Sequence, residues 1–393
     1  MVAACPFPYG RGTPIRIHRL AEALSRRGHE IHVVTYHIGD PEVPEGVAVH
    51  RIRDLRWYRH YEPGPTRAKL LILDPLLVRK LRQVLRSHDI DLIHAHHYEG
   101  LLVAGLSGAA HCPVIYDAHT TLESELHYYP LGLPKRLCRS LGRMLDRRLP
   151  RRASHVIAVS EEIRNTLLEL AQLPEDRIDV IPNGVESTLF DVIEPDRRQT
   201  DDDRIVAFAG NLAPHQGIEH LLAAFGKVRE RWSRARLHIV SSSDFSPYAG
   251  LARELGIEDA IELKQVSFGE LPRRLAAADV LVNPRVEATG LPMKLLNYMA
   301  AGRPIVSFVG SAVHLEDGKT ALTAEDGNSD ALADAMLRLL EDDDLAARLS
   351  REAKRKAREE FDWMIRAAQV EAVYDRVMAR RSLGTERSSM ITT

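Results

Sequence analysis

The sequence predicts an α/β protein of two domains, each built on an open, mainly parallel sheet. Three observations predict it. Short apolar runs alternate with amphipathic helical stretches, the order of repeated βαβ units. The alternation stops at an acidic, polar connector at 194–203 and then restarts. At 393 residues the chain is also too long for one typical core.

The elements follow in order. MVAAC at the start reads as the end of a buried strand, which is short or begins upstream. A glycine-containing turn at Tyr9–Thr13 leads to a helix at 13–27. Strands follow at 30–35 (EIHVVT) and 47–52 (VAVHRI), then a helix at 67–87. The runs DLIHA (91–95) and PVIYD (113–117) are strands, and a basic helical stretch covers 134–152. HVIAV (155–159), a helix at 160–171 and IDVI (178–181) complete the first half. Pro182-Asn183-Gly184 is a turn signal.

After the connector the strands are 204–209, 236–240, 260–263, 280–282 and 304–307. Helices fall at 216–231, 251–255, 270–277, 292–301 and 330–340. Two long helices, 345–360 and 363–381, close the chain, and a disordered tail is expected at 382–393. The domains so defined are 1–185 and 204–362, joined by a linker at 186–203, with the helix 363–381 left over.

The segment NPRVEATGLPMKLLNYMAAGRPIV, 283–306, is the most informative. A polar loop with Arg285, Glu287, Thr289 and Gly290 feeds a helix that Pro292 can start, because its missing N–H costs nothing there. Leu295, Leu296 and Met299 give an apolar stripe. Gly302 and Pro304 end the helix, and Ile305-Val306 begin a strand. Backbone N–H groups at a helix N-terminus, with Lys294 in the first turn, suit a phosphate. An ordinary loop–helix–strand unit with a surface lysine fits the same residues.

Composition excludes several classes. A net charge of −2 argues against a general nucleic-acid binder. Cys5, Cys112 and Cys138 are far apart, with neither metal spacing nor a disulfide framework, so a reducing cytoplasm is expected. No secretory signal or long uncharged apolar run is seen.

Open α/β sheets bind ligands at the carboxyl ends of their strands, so the loops there are the candidates, and two such domains would face a cleft. Gly10, Gly12 and Thr13 follow the first strand, where a plain tight turn is the simpler reading. His94, His96 and His97 close the next one, with no carboxylate or thiol partner at metal spacing along the chain. His119, in a hydroxyl-rich loop after 113–117, suits proton transfer or hydrogen bonding, or a structural role. Gly210, Asn211, Gln216 and Gly217 lie between strand 204–209 and its helix.

Together these segments resemble the family-four glycosyltransferases of GT-B architecture, two Rossmann-like domains facing a cleft. GRGTPIRIHRLAEALSRRGHEIHVVT is similar to that family's glycine loop, first helix and second strand. DLIHAH, PVIYDAH, HVIAVS and VIPNGV are similar to its other N-terminal strands, and GNLAPHQG and GLPMKLLNYMAAGRPIV to its two donor segments. The resemblance implies retaining transfer from a nucleotide-sugar without a metal or other cofactor, UDP- or GDP-linked donors being usual. It places the donor on the C-terminal domain, the acceptor mainly on the N-terminal domain, and the last helix back on the N-terminal domain. It implies His119 near the transferred sugar, and Gly12 and Thr13 approaching the donor phosphate on closure. Gly210, Asn211, Gln216 and Lys294 would hold the diphosphate. Thr289, Gly290 and Leu291 would contact the sugar, and Asn297 the ribose.

The departures concern charge. The family carries Arg and Lys where this chain has Asn211 and Gln216, and two glutamates where it has Thr289 and Asn297. Glu287 lies two residues upstream of the first. A hydrogen bond to a charged group contributes roughly 1.5–3 kcal/mol against about 1 for a neutral one, so Lys294 or Arg285 must compensate. The expectation is a divergent but active subgroup. A catalytically silent partner subunit and a nucleotide-sugar epimerase of the same architecture are the alternatives.

The stretch 135–152 interleaves basic residues with Leu137, Leu141, Met144, Leu145 and Leu149. It reads either as a packed helix with a solvated basic face or as a helix lying on an anionic membrane. The second reading suits a cytoplasmic enzyme working at the membrane's inner face on a lipid-linked, polysaccharide or other glycan acceptor, with cell-envelope polysaccharide the context.

Overall fold

The computed structural model describes all residues except 10–11, 42, 60–63, 65, 110–111, 130–133, 192–203, 267–269, 287–292 and 392–393, and describes 383–391 in backbone only. Contacts divide the chain into a unit of Met1–Asn183 with Trp363–Thr393 and a unit of Gly184–Asp362.

The first unit holds β1 (Val2–Ala3), α1 (Gly12–Arg26), β2 (Ile31–Thr35), β3 (Val47–Arg51), α2 (Asp74–Ser87), β4 (Ile93–His96), α3 (His97–Leu106) and β5 (Val114–Ala118). It continues with α4 (Leu122–Glu125), α5 (Lys135–Arg148), β6 (His155–Ala158), α6 (Glu161–Ala171) and β7 (Ile178–Val180). The second holds β8 (Ile205–Ala209), α7 (Ile218–Arg231), β9 (Arg236–Val240), α8 (Ser246–Glu254), β10 (Ile261–Lys264), α9 (Leu271–Ala276) and β11 (Val280–Asn283). It ends with α10 (Met293–Ala301), β12 (Ile305–Phe308), β13 (Leu322–Ala324), α11 (Ser329–Glu341) and α12 (Asp343–Phe361); α13 (Trp363–Ile391) returns to the first unit.

Both sheets are parallel, with orders β3-β2-β1-β4-β5-β6-β7 and β10-β9-β8-β11-β12-β13. Each order reverses direction once, between β1 and β4 and between β8 and β11. Those are the topological switch points, where open sheets bind ligands. Each sheet is covered on both faces by apolar clusters. One cluster of the first unit packs Ile17, Leu20 and Leu24 of α1 against Trp363, Ala367, Val370 and Val377 of α13.

Several elements differ from the sequence reading. The strand read at 91–95 runs to His96, so His94 and His96 both belong to β4, and His97 opens α3 at φ +61°. The helix α3 is apolar almost all round and carries two glycines, so it shows no amphipathic stripe to read. β13 is too short to signal itself. α13 continues to Ile391 instead of ending at 381 in a disordered tail; no proline interrupts it, and Ser382 Oγ bonds back to Met378 O at 3.3 Å. The helix read at 345–360 begins earlier, at Asp343, with Asp342 capping it by accepting from Leu345 N at 2.9 Å. Of the expected linker 186–203, Ser187–Phe190 form a helical turn within the second unit, and 192–203 lie outside the described residues.

Candidate functional site

In the first unit, the switch point is built on a buried ion pair. Arg16 occupies the apolar stripe of α1 and is 1% exposed. Its Nε and one terminal nitrogen bond the two oxygens of Asp117 at 2.8 and 3.1 Å. Its remaining hydrogens go to Ile181 O, Pro182 O and Asn183 Oδ1 at 3.0, 3.1 and 3.3 Å. The Pro182-Asn183 turn is thereby locked to α1. Burial opposes ionisation of Asp117, but the Arg16 guanidinium, together with His119, His94 and His96, outweighs it and holds the carboxyl well below its usual range.

Three histidines surround this carboxylate. His96 faces Asp117 across the β4–β5 ladder, and its Nδ1 lies 3.1 Å from Asp117 Oδ2. His94 Nε2 is 3.4 Å from the same oxygen, while its Nδ1 meets Tyr374 Oη at 2.7 Å. His119 Nε2 is 3.7 Å from it, and His119 Nδ1 lies 3.3 Å from Thr13 Oγ1. Burial lowers all three, His96 to about 3, so the rings are neutral at neutral pH. The acidic partner absent from the chain spacing is therefore Asp117, supplied by the neighbouring strand. Arg16 already occupies that carboxylate, which makes the cluster an ion-pair network and a poor cation site.

A cavity of about 310 Å³ opens beside it, lined by Gly12, Thr13, His96, His97, Glu99, Glu125 and Tyr129 among others. His97 Nδ1 is 3.0 Å from Glu99 and its Nε2 3.5 Å from Glu125. Burial opposes its protonation, yet the two carboxylates push it up to about 10. A cation between two carboxylates, with a tyrosine that also bonds Glu125, offers donors and acceptors suited to hydroxyl-rich ligands.

The second unit places a different chemistry at its switch point. Tyr298 Oη takes the Ala209 N–H at 2.7 Å, fixing the end of β8 before Gly210 (φ +150°). At Gly217 (φ +69°) a Cβ would come within 2.0 Å of Pro284 O, so only glycine lets this loop pack on the one after β11. Asn283 Nδ2 bonds Ser307 Oγ and Ser311 Oγ at 2.9 and 2.8 Å, and Ser311 Oγ bonds Arg285 O. The backbone at Arg285 is thus held in place.

Lys294 sits in the first turn of α10, over the Phe208 ring at 4.6 Å, and donates to Gln216 Oε1 at 2.5 Å. Burial, then Arg285, lowers its ammonium to about 7. Burial, Arg285 and Lys294 lower His215 as well. Gln216 has both amide ends engaged, the second on His215 Nε2 at 2.9 Å, so it positions Lys294. Asn211 is exposed, and its Oδ1 accepts from Ala213 N at 3.2 Å within its own turn. Asn297 lies three residues beyond Lys294, on the same helix face, and is partly exposed. Glu287, Thr289, Gly290 and Leu291 lie outside the described residues. The sequence reading missed Arg16, Asp117, Glu99, Glu125 and Phe208. Arg16 had a signal, a charge in register with Leu20 and Leu24 on an apolar face.

Two doubly wound parallel sheets define the GT-B class. Sucrose-phosphate synthase from Thermosynechococcus elongatus shares the fold at a TM-score of 0.76 and 21% identity, over 96% of this chain and 98% of its own. Anabaena HepE, solved with UDP and glucose, does so at 0.69 and 20%, over 95% and 98%. Residues 10–189 match the family described as Glycosyltransferase Family 4, and residues 203–342 that described as Glycosyl transferases group 1. The chain belongs to the family-four glycosyltransferases. The MMP alpha-(1->4)-mannosyltransferase of Mycolicibacterium hassiacum is 27% identical over 94% of this chain and 95% of its own. The phosphatidyl-myo-inositol mannosyltransferase of Mycolicibacterium smegmatis is 27% identical over 95% and 92%.

Proposed function

We propose that this glycosyltransferase moves a sugar, with retention of anomeric configuration and without a metal, from a UDP- or GDP-linked donor to a lipid-linked or other glycan acceptor. The observation that carries the donor assignment is Lys294. A lysine lowered to about 7 by burial and by a second cation is costly to keep charged in the free protein, and a diphosphate is what would restore its charge. Arg285 and the N-terminus of α10 add to the same field, in place of the Arg and Lys that Asn211 and Gln216 replace. Thr289, Gly290, Leu291 and Asn297 remain the proposed sugar and ribose contacts, with Glu287 nearby.

The acceptor is assigned to the cavity of the first unit, through His97, Glu99 and Glu125. His119, neutral and tied to Thr13, positions groups near the transferred sugar and is a poor acid at neutral pH. The names of the relatives, which include a phosphatidyl-myo-inositol mannosyltransferase, support a lipid-linked acceptor. Helix α5 supports a site at the inner face of a membrane: Lys135, Arg136, Leu137, Arg139, Arg143 and Met144 are exposed, whereas Cys138, Gly142 and Asp146 are buried. Among the described residues no helix is long and apolar enough to cross a membrane.

The test is a transfer assay with UDP- and GDP-sugars, with chelator present and the product anomer read by NMR. An α-linked product from an α-linked donor is expected. An inverted product, or donor rearrangement with no transfer, would overturn the reading. Nucleotide binding with neither reaction would leave only the silent-subunit alternative.

A further inference from the structure

Away from that site, three histidines of the first unit converge. His32 comes from β2, His50 from the edge strand β3, and His88 from the residue that caps the end of α2. One ring nitrogen of each lies within 4.8 Å of the other two. The His32 ring centroid is 5.1 Å from that of His50 and 4.3 Å from that of His88.

The hydrogen bonds fix the tautomers. His32 Nε2 lies 2.9 Å from Glu30 Oε1 and therefore carries the hydrogen it donates. His32 Nδ1 then accepts, and takes the Nε2–H of His50 at 2.9 Å. A carboxylate behind a histidine is the arrangement that orients an imidazole on a metal. An entering cation replaces the hydrogen between His32 Nδ1 and His50 Nε2, and His50 carries its hydrogen on Nδ1 instead. No ligand changes its net charge. A cavity of about 330 Å³ touches the cluster at His32, and Glu30, Asp89, Asp91 and Asp375 line it with negative charge. The cluster at Asp117 differs, because Arg16 fills the carboxylate there.

We propose that His32, His50 and His88 form a binding site for a divalent transition-metal ion of the zinc type, with Glu30 orienting His32 and solvent completing the coordination. Three imidazoles and an open position are a donor set zinc accepts. The ion would clip edge strand β3 and the end of α2 to β2. It is structural and plays no part in sugar transfer.

The experiment uses the untagged full-length chain, stripped with chelator. It is titrated with Zn²⁺ by calorimetry and with Co²⁺ by visible absorption. One ion per chain is expected, with Co²⁺ bands of tetrahedral intensity and a rise in Tm that Mg²⁺ does not give. His88→Ala removes an exposed ligand without touching the core; His50→Ala is the second variant. Each should lower Zn²⁺ affinity about tenfold or more with the far-UV spectrum unchanged. Absence of stoichiometric binding, binding that survives both variants, or binding lost instead in His96→Ala would each overturn the proposal.

Discussion

At the scale of single residues, the account turns on Lys294, partly buried, and Arg16, fully buried, two cations with opposite fates. Arg16 has all its partners. Lys294 pays for its burial with a lowered ammonium, stacked on Phe208 and bonded to a neutral amide. Replacing Lys294 by Met should therefore raise the Tm of the ligand-free protein at pH 6 and remove nucleotide binding, a trade measurable by calorimetry on both forms. The pH dependence follows in sign. Below about 7 the free site is charged; above it the ammonium must regain a proton to meet the diphosphate. Nucleotide affinity should fall as pH rises from 7 to 9, by up to tenfold per unit; a flat profile over that range would take Lys294 out of the donor site. Arg16→Ala should cost about 3–5 kcal/mol, because it strands the buried Asp117 charge. Urea midpoints measure it, and Arg16→Ala with Asp117→Asn should recover part. Asp117 is held below its ordinary value of 3.8, so the pair's contribution is present above that value and lost only as pH falls through the folded one. Little of this was legible in the chain. Lys294 could be placed at a helix start, but its Phe208 and Gln216 contacts come from another strand and loop.

At the scale of elements, the strands were legible because buried parallel strands are continuous apolar runs, and β2, β9 and β12 fall within a residue of expectation. The misses have physical causes. α3 is apolar almost all round, and α4 is a single turn tied down by Asp146, which accepts from Leu122 N and Glu123 N at 3.0 and 2.8 Å. Helix α5 is the element whose reading changes most with structure. Gly142 lets it lie against the Leu122 backbone, where a Cβ would come within 2.4 Å of the carbonyl oxygen. That contact turns Leu137 and Met144 outward beside the arginines, at 51% and 40% exposure, instead of into the core. Arg136, Arg139 and Arg147 are exposed on α5. Changing all three to Gln should weaken binding to anionic vesicles on the order of 10²-fold, at about 1 kcal/mol per charge. Vesicle sedimentation at two salt concentrations measures it; equal binding by both proteins would remove α5 from the membrane.

At the scale of the whole molecule, the restart of the βαβ pattern gave away two units, and the strand order of the second repeats that of the first without its last strand, β7. Chain order alone could not show that the network around Asp117 gathers residues from α1, β4, β5, the turn after β7 and α13, because those contacts span up to 280 positions. Nor could neutral Asn211 and Gln216 reveal whether a donor site survives, since the answer lies in how Lys294 is held. The most direct measurement is thermal unfolding with UDP, GDP, ADP and dTDP and their sugar conjugates, without metal, on the wild-type chain and on Lys294→Gln. Saturation at about a hundred times the dissociation constant contributes about 2.7 kcal/mol. The account predicts a rise in Tm with UDP or GDP for the wild type and none for the variant. A wild-type chain that no nucleotide stabilises at millimolar concentration, or a Lys294→Gln chain stabilised as much as wild type, would contradict it.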